Sequence, residues 1–313
     1  MTPTKEQLLD RHEQIKPYIH RTPILSSTHV NERSGASVFF KCENFQKMGA
    51  FKMRGAISAI LNLSEEERQR GVVTHSSGNF AQAVSLSAKL TGIPANIVMP
   101  STAPKVKQEA VKGYGGKITI SKPTLEAREK AAQEIVSETN GTFLHPSNDL
   151  DVILGNATAA IELLEDHPDL DYILTPVGGG GLVAGAALAA HHLGKNCLCI
   201  GSEPMEADDA YRSLQSGRIE TNITCNTIAD GLRTQLGDIN FPIIQKYVDR
   251  IIRVEEAEIV SAMRIIWERM KIIIEPSCAV PFAAVLKEKK QFQNKKIGII
   301  ISGGNVDLQN LPF

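Results

Sequence analysis

Cysteine, aromatic residues and net charge are all scarce in this sequence of 313 residues, and each scarcity excludes a class of protein. The five cysteines are odd in number and scattered, so they give neither a disulfide framework nor the spacing of a zinc site. Lys and Arg number 34 against 35 Asp and Glu, and without a dense basic block we expect neither nucleic acid nor a membrane as a partner. No apolar run reaches the roughly 18 residues of a spanning helix, and the polar start lacks the apolar core of a secretion signal. We therefore expect a cytoplasmic protein with reduced thiols.

What the sequence does contain is a regular alternation of strand and helix patterns. Strands are predicted at 71–74, 96–100, 117–120 and 142–144, and again at 172–177, 198–202, 250–254 and 297–301. Such alternation builds parallel sheets with helices on both faces, so we predict an α/β fold with two open, mainly parallel, twisted sheets. A small domain, 71–148, would be inserted into a larger domain made of 1–70 and 149–313.

Lys52 lies between Phe51 and Met53, which is an unusual place for a solvated ammonium. Burial penalises the charged form of lysine, and a neutral amine is a nucleophile that forms Schiff bases with carbonyl compounds. Small residues on both sides, Gly49-Ala50 and Gly55-Ala56, leave room for a flat ring close to the backbone. Taken alone, however, the stretch fits a surface lysine at the start of an amphipathic helix better than a reactive lysine.

Three polar or glycine-rich loops, 76–79, 178–181 and 302–305, follow predicted strands. In open α/β sheets, ligands bind beyond the carboxyl ends of the strands, so these loops are candidate binding elements. The four glycines at 178–181 precede an alanine-rich helix, where successive N–H groups can converge on a phosphate. The same loop, with Glu203 downstream, loosely satisfies the dinucleotide pattern, so a non-catalytic nucleotide-binding protein stays open as an alternative.

The segment 203–209 contains four acidic residues and two intervening apolar ones besides a proline. Hard cations such as Mg²⁺ and Ca²⁺ take several oxygen ligands, including backbone carbonyls. Solvated acids in a turn are the simpler interpretation of this segment.

Together these motifs resemble the fold-type II pyridoxal phosphate enzymes, nearest to the branch of serine racemases and serine/threonine dehydratases. The resemblance spans essentially the whole chain and is carried by 44–56, 76–79, 178–181, 267–271, Glu275-Pro276 and 302–305. It implies a tryptophan synthase β-like fold, pyridoxal 5'-phosphate as cofactor and a divalent cation, Mg²⁺, Ca²⁺ or Mn²⁺. It also implies a homodimer that acts on a small amino acid.

The resemblance further implies roles for individual residues, grouped here by what they would contact. The cofactor residues would be Lys52, which forms the Schiff base, its neighbour Phe51, Gly178, Gly179, Gly180 and Gly181 at the phosphate, Ser302 at the pyridine nitrogen, and Asn79 at the ring hydroxyl. Ser76, Ser77 and Arg128 would contact the substrate, with Ser77 as the acid–base group on the face opposite Lys52. Glu203, the carbonyl of Ala207 and Asp209 would bind the cation.

The expected activity is β-elimination of water from serine or a related β-hydroxy amino acid, racemisation at Cα, or both. Met48 and Ala50 replace the Thr and Ser common in serine and threonine dehydratases and look more like 3-hydroxyaspartate dehydratases. Phe80 stands where a histidine is usual. A 3-hydroxyaspartate or threonine dehydratase is therefore an alternative, and a β-replacement enzyme of the cysteine synthase type is a further one.

Overall fold

The computed structural model describes residues 2–313, and its strands form two sheets. The strands are β1 (Ile24–Leu25), β2 (Ser37–Cys42), β3 (Val72–His75), β4 (Ala95–Pro100), β5 (Lys117–Ser121), β6 (Thr142–Phe143), β7 (Tyr172–Pro176), β8 (Leu198–Pro204), β9 (Val248–Val254) and β10 (Lys296–Ile301). The larger sheet has the order β1-β2-β10-β7-β8-β9, and the smaller has the order β5-β4-β3-β6. Only β1 and β2 pair antiparallel among these strands, so the predicted α/β fold with two mainly parallel sheets is confirmed.

Helices follow most strands and cover the sheets. They are α1 (Lys5–Ile15), α2 (Thr28–Ser34), α3 (Lys52–Leu61), α4 (Glu65–Arg70), α5 (Asn79–Thr91), α6 (Lys105–Gly113), α7 (Leu125–Thr139), α8 (Leu150–Asp166), α9 (Gly181–Leu193), α10 (Asp209–Ser216), α11 (Phe241–Tyr247), α12 (Glu256–Met270), α13 (Pro276–Lys287) and α14 (Lys289–Phe292). Within residues 2–313, none of these helices combines the length and the apolar character needed to cross a membrane.

The central strands of the larger sheet are buried on both faces, which explains their apolar sequences. In β10, for example, every residue after Lys296 is buried. Parallel strands covered by helices on both faces typically read as continuous apolar runs, because neither face meets water. Alternating polar residues are therefore absent from β10, and the chain turns polar only at Ser302, where the strand ends.

Helix α3, which begins at Lys52, lies between α8 and α5 and is buried along most of its length. Its close packing on α8 depends on glycine, since a Cβ added at Gly155 would lie 2.3 Å from the carbonyl oxygen of Arg54. The first turn of α3 is thereby held at the cavity between the two sheets, with Lys52 in its lining.

All strands of the smaller sheet come from 72–143, inside the predicted inserted domain at 71–148. The domain boundaries themselves stay a prediction. The acidic segment differs from the simpler expectation, because Glu203 lies in β8 and Asp209 begins α10. Both side chains are about 1% exposed, so the interpretation as solvated acids in a turn is wrong.

Candidate active site

A cavity of about 590 Å³ lies between the two sheets at the carboxyl ends of their strands. Its lining includes every residue that the sequence assigned to the cofactor or the substrate, namely Phe51, Lys52, Ser76, Ser77, Asn79, Arg128, Gly178, Gly179, Gly180, Gly181 and Ser302. The three residues assigned to a cation, Glu203, Ala207 and Asp209, are not part of this lining. The predicted residues therefore fall into one cavity and one separate buried acidic segment.

Lys52 has an amine that is held among apolar groups. Its Nζ lies 5.0 Å from the ring centroid of Phe51 and 5.5 Å from that of Phe80, and it donates a hydrogen bond of 2.6 Å to the carbonyl oxygen of Pro146. Burial lowers the pKa of Lys52 to about 8, against the opposing effect of the Glu275 carboxylate. The neutral, nucleophilic amine is therefore far more populated near neutral pH than in a solvated lysine.

The loop before Lys52 is fixed to the loop after β10. Phe51 donates its backbone N–H to the carbonyl of Ser302 at 2.9 Å, and Gly304 donates to the carbonyl of Gly49 at 2.9 Å. Gly49 has a φ of +78°, and a Cβ there would meet the side-chain oxygen of Asn305 at 2.8 Å. Glycine is needed at this position both for its backbone conformation and for the close approach of Asn305.

The glycine loop between β7 and α9 presents free backbone donors. No hydrogen bond to another part of the described chain is made by the N–H groups of Gly178, Gly179, Gly180 and Gly181. The opposite side of the loop is closely packed, since a Cβ on Gly179 would lie 2.3 Å from the hydroxyl of Ser147. Free N–H groups at a helix N-terminus, without room for side chains, fit a phosphate group.

Asn79 and Glu275 form a polar pair beside the lysine loop. The amide of Asn79 donates to both carboxylate oxygens of Glu275, at 3.2 and 3.1 Å, and its oxygen accepts from Asn305 at 2.9 Å. Burial raises the pKa of Glu275 to about 7, although the Asn79 hydrogen bonds oppose the shift. The side chain of Asn79 is thus oriented by two partners, and its contact with a ring hydroxyl stays a prediction.

Ser302 contacts the thiol of Cys278, with 3.2 Å between Oγ and Sγ. The thiol is fixed in turn by Gly303, whose N–H lies 3.0 Å and whose carbonyl oxygen lies 2.9 Å from Sγ. A neutral hydroxyl therefore faces the cavity at the end of β10. Such a neutral partner fits a pyridine nitrogen that stays largely unprotonated.

The loop after β3 and helix α7 supply the substrate-side residues. Ser76 and Ser77 line the cavity, and the hydroxyl of Ser76 accepts the N–H of Gly78 at 3.3 Å. Arg128 also lines the cavity, and its Nε is buried without a hydrogen-bond partner within residues 2–313. An unpaired guanidinium nitrogen beside a cavity fits an anionic ligand group such as a carboxylate.

Glu203 and Asp209 form no salt bridge with another side chain of residues 2–313, and both carboxylates accept hydrogen bonds from backbone N–H groups. Glu203 accepts from the N–H of Tyr211 at 2.7 Å, and Asp209 accepts from that of Leu236 at 3.1 Å. Burial raises the pKa of Glu203 well above its usual range and that of Asp209 to about 6. Two buried carboxylates without a cationic side-chain partner fit a bound cation, although residues 2–313 contain no group of three or more His, Cys, Asp or Glu that could hold a metal.

The sequence assigned no role to two residues that line the cavity, Glu275 and His145, or to Cys278, which contacts Ser302 from outside the lining. Glu275 belongs to a Glu-Pro pair that carries the family resemblance, and this was the available signal for it. Cys278 follows two residues later, but as one of five scattered cysteines it has no distinctive spacing in the sequence. His145 follows a short strand and was given no role, because a histidine beside a proline has no distinctive spacing.

Comparisons with known proteins agree with this geometry. A family model described as "Pyridoxal-phosphate dependent enzyme" matches residues 15–303. The chain belongs to this family. A β-hydroxyaspartate dehydratase from Paracoccus denitrificans is 47% identical over 311 residues, which cover 99% of both chains. A serine racemase from Dictyostelium discoideum is 49% identical over 314 residues, covering 99% of this chain and 97% of that protein.

A solved structure of serine racemase from Dictyostelium discoideum superposes on this fold with a TM-score of 0.94 at 49% identity. The match covers 98% of this chain and 100% of that one. The protein is therefore a fold-type II pyridoxal phosphate enzyme, as the sequence motifs implied.

Proposed function

We propose that this enzyme is an ammonia-lyase that removes water from a β-hydroxy amino acid, with racemisation at Cα as a second outcome. The observation that carries the proposal is the presence of Lys52 in one cavity with Ser77, the free N–H groups of the glycine loop and Ser302. An amine of lowered pKa is suited to take a proton from Cα, and a hydroxyl in the same cavity is suited to return one. The relatives named serine racemase and β-hydroxyaspartate dehydratase also support this pair of activities.

The residues divide the work as follows. When bound, pyridoxal phosphate supplies an electron-withdrawing ring that weakens the bonds at the substrate's Cα. The glycine loop would hold its phosphate, and Ser302, as a neutral partner, would leave its ring nitrogen largely unprotonated. Lys52, once freed by the substrate amine, takes the Cα proton, and the β-oxygen leaves. Release and hydrolysis of the unsaturated product give a keto acid and ammonia.

Replacing Lys52 tests the proposal directly. Lys52→Ala is expected to abolish both the visible absorbance of cofactor-bound enzyme and the release of keto acid. Lys47→Ala is the matched control, since Lys47 lies on the same loop, does not line the cavity, and has an amine that makes no hydrogen bond within residues 2–313. The assay is a panel of L- and D-serine, L-threonine and the 3-hydroxyaspartate isomers, with keto acid and chirality both followed. Turnover that survives in Lys52→Ala would overturn the assignment.

Racemisation requires a second acid–base group, for which we propose Ser77. Ser77→Ala is expected to suppress racemisation and the use of D-isomers by at least about 100-fold, within the usual contribution of a general acid or base, and to spare elimination from the L-isomer. Equal losses in both activities would contradict a mechanism with groups on two faces.

A second candidate substrate is 3-hydroxyaspartate, which carries an additional carboxylate. The observation that favours it is the unpartnered Nε of Arg128 at the cavity, with the side chains of Lys107 and Arg233 in the same lining. Lys107 is paired with Asp230 at 3.3 Å, and Arg233 donates to the carbonyl of Thr227. Arg128 is therefore the one of the three with a buried nitrogen that is free, within residues 2–313, for an additional carboxylate. The substrate panel distinguishes serine from 3-hydroxyaspartate as the preferred substrate. If Arg128 binds the second carboxylate, Arg128→Ala is expected to lose the preference for 3-hydroxyaspartate.

We further propose that Glu203, the carbonyl of Ala207 and Asp209 bind Mg²⁺ or another divalent cation, and that the enzyme works as a cytoplasmic homodimer. Support for the cation comes from the burial of the acidic pair and from the family resemblance. The five unpaired cysteines support a reducing compartment, and the dimer rests on the resemblance alone.

A further inference from the structure

The short segment 145–147 contacts three functional parts of the cavity. The hydroxyl of Ser147 packs against the glycine loop, and the carbonyl of Pro146 accepts the amine of Lys52 at 2.6 Å. His145 itself lines the cavity, together with His75 and Arg128. The imidazole of His145 therefore borders the same cavity as the reactive amine of Lys52.

The ring orientation of His145 is fixed by the backbone. Its Nδ1 accepts the N–H of Asn148 at 2.8 Å and that of Ser147 at 3.2 Å. A nitrogen that accepts an N–H carries no proton, so the neutral ring must carry its proton on Nε2. Nε2 makes no hydrogen bond to another residue of the described chain, and the ring lines the cavity. His145 thus presents one donor that is free to contact a ligand.

The surroundings also keep this ring neutral. Burial, together with the positive charges of His75 and Lys52, lowers the pKa of His145 to about 4, although the charge of Asp238 opposes the shift. Protonation of Nδ1 would in addition break both hydrogen bonds from the backbone. A neutral imidazole with a fixed N–H can stabilise a developing oxyanion without giving up its proton.

We propose that Nε2–H of His145 donates a hydrogen bond to the β-oxygen of the substrate as that oxygen leaves, and so selects β-hydroxy amino acids. This inference rests on the proposed function. The Cβ–O bond breaks with its electron pair on oxygen. The ammonium of Lys52, which carries the proton taken from Cα, returns that proton to the leaving oxygen, so the product is water. His145 stays neutral throughout and stabilises the charge on oxygen before the proton arrives.

Two substitutions separate the role of the Nε2–H donor of His145 from the role of its Nδ1, which accepts the N–H groups of Ser147 and Asn148 and fixes the turn. In His145→Asn the side-chain oxygen can still accept the N–H groups of Ser147 and Asn148, but the shorter side chain cannot reach the Nε2 position. In His145→Gln the amide can reach the Nε2 position as a donor, but the Nδ1 acceptor is lost. The first variant therefore tests the donor with the turn intact, and the second tests the turn with a donor kept.

The measurement compares two leaving groups on the cofactor-bound enzyme: the preferred hydroxy amino acid and β-chloro-L-alanine, whose chloride leaves without a proton. His145→Asn is expected to lower kcat for the hydroxy substrate by about 100-fold, as for loss of one oxyanion donor, and kcat for the chloro substrate by no more than about threefold. His145→Gln is expected to recover the hydroxy substrate at least about tenfold relative to His145→Asn. His191→Asn, an exposed histidine at the end of α9, is the control and should leave both substrates unchanged.

A readout that does not depend on turnover is the ¹⁵N spectrum of the histidine rings in the holoenzyme. The His145 signals are expected to show the Nε2–H tautomer without titration between about pH 5.5 and 8.5. A protonated Nδ1, or an equal loss of both substrates in His145→Asn, would overturn the proposal. Turnover that survives in Lys52→Ala would instead reject the proposed function, so the two failures are distinguishable.

Discussion

Arg54, two residues after Lys52, is the most heavily bonded buried side chain near the site and predicts a large effect on stability. It is fully buried, with Nε and Nη2 paired to Glu43 at 2.7 and 2.8 Å and both Nη atoms paired to Glu162 at 2.8 Å. Nη1 also donates to the hydroxyl of Thr158 at 3.0 Å. Arg54→Met would leave Glu43 with one hydroxyl donor, Thr22, and one long contact to Gln46, at 3.5 Å, while Glu162 keeps Lys41.

Removing one partner from a buried ion pair typically costs about 3–5 kcal/mol, because the other charge stays buried without compensation. At about 2 °C per kcal/mol for a chain of this size, the unfolding midpoint of Arg54→Met should fall by about 6–10 °C. Arg250→Met is the matched control, since Arg250 pairs with Asp249 and Glu288 at the partly exposed surface, where such pairs contribute about 0–1 kcal/mol. Thermal unfolding of both variants is the assay.

The pH dependence of Arg54→Met gives a second, independent check. The side-chain hydrogen bond and the charge of Arg54 hold the pKa of Glu162 below its ordinary value in the folded protein, despite burial. The stability from this pairing is therefore present above the unfolded pKa and is lost as the pH falls through the folded pKa. The difference between wild type and Arg54→Met should shrink in acid. A loss no larger than that of Arg250→Met, or one that grows in acid, would refute the reasoning.

Three further predictions follow from the packing and the charges. Gly155→Ala should cost about 1–3 kcal/mol, because its Cβ would lie 2.3 Å from the Arg54 carbonyl, whereas Gly113→Ala, in open space, should be neutral or stabilising; equal unfolding midpoints would contradict this. Glu275 has a raised pKa, about 7, so native stability should fall as the pH rises from about 4.5 to about 7, and Glu275→Gln should flatten that slope in unfolding measured across pH. Chelation should lower stability by about 2.7 kcal/mol relative to protein with divalent cation at 100 times its Kd; unchanged unfolding would count against the acidic pair as a cation site.

The parts of the site that the sequence predicted are those whose residues are contiguous. The glycine loop, the stretch around Lys52 and the serine loop after β10 each carry their chemistry within a few neighbouring positions, and parallel strands bring their carboxyl ends to one edge. The order of strands in each sheet was not predicted, since pairing such as that of β2 with β10 joins opposite ends of the chain.

The parts that the sequence did not predict depend on partners distant along the chain. Asn79 and Glu275 are 196 residues apart, and Lys52 and Pro146 are 94 apart, so neither pairing leaves a local pattern. The acidic pair was misinterpreted as solvated for the same reason. Glu203 is buried because it lies near the end of β8, where later segments pack over it and the backbone N–H of Tyr211 donates to it. A run of acidic residues in the sequence does not reveal that later segments will bury it.

The lowered pKa of Lys52 depends on contacts from segments that are distant along the chain. Arg54 anchors helix α3 through salt bridges to Glu43 and Glu162, which both lie outside the predicted inserted domain. The groups that desolvate the amine from the other side, Phe80 and the carbonyl of Pro146, lie within 71–148. Burial is the main cause of the lowered pKa of Lys52, so displacement of 71–148 as a unit would expose the amine and raise its pKa. The groups that desolvate the amine of Lys52 thus also exclude water from the reacting bond.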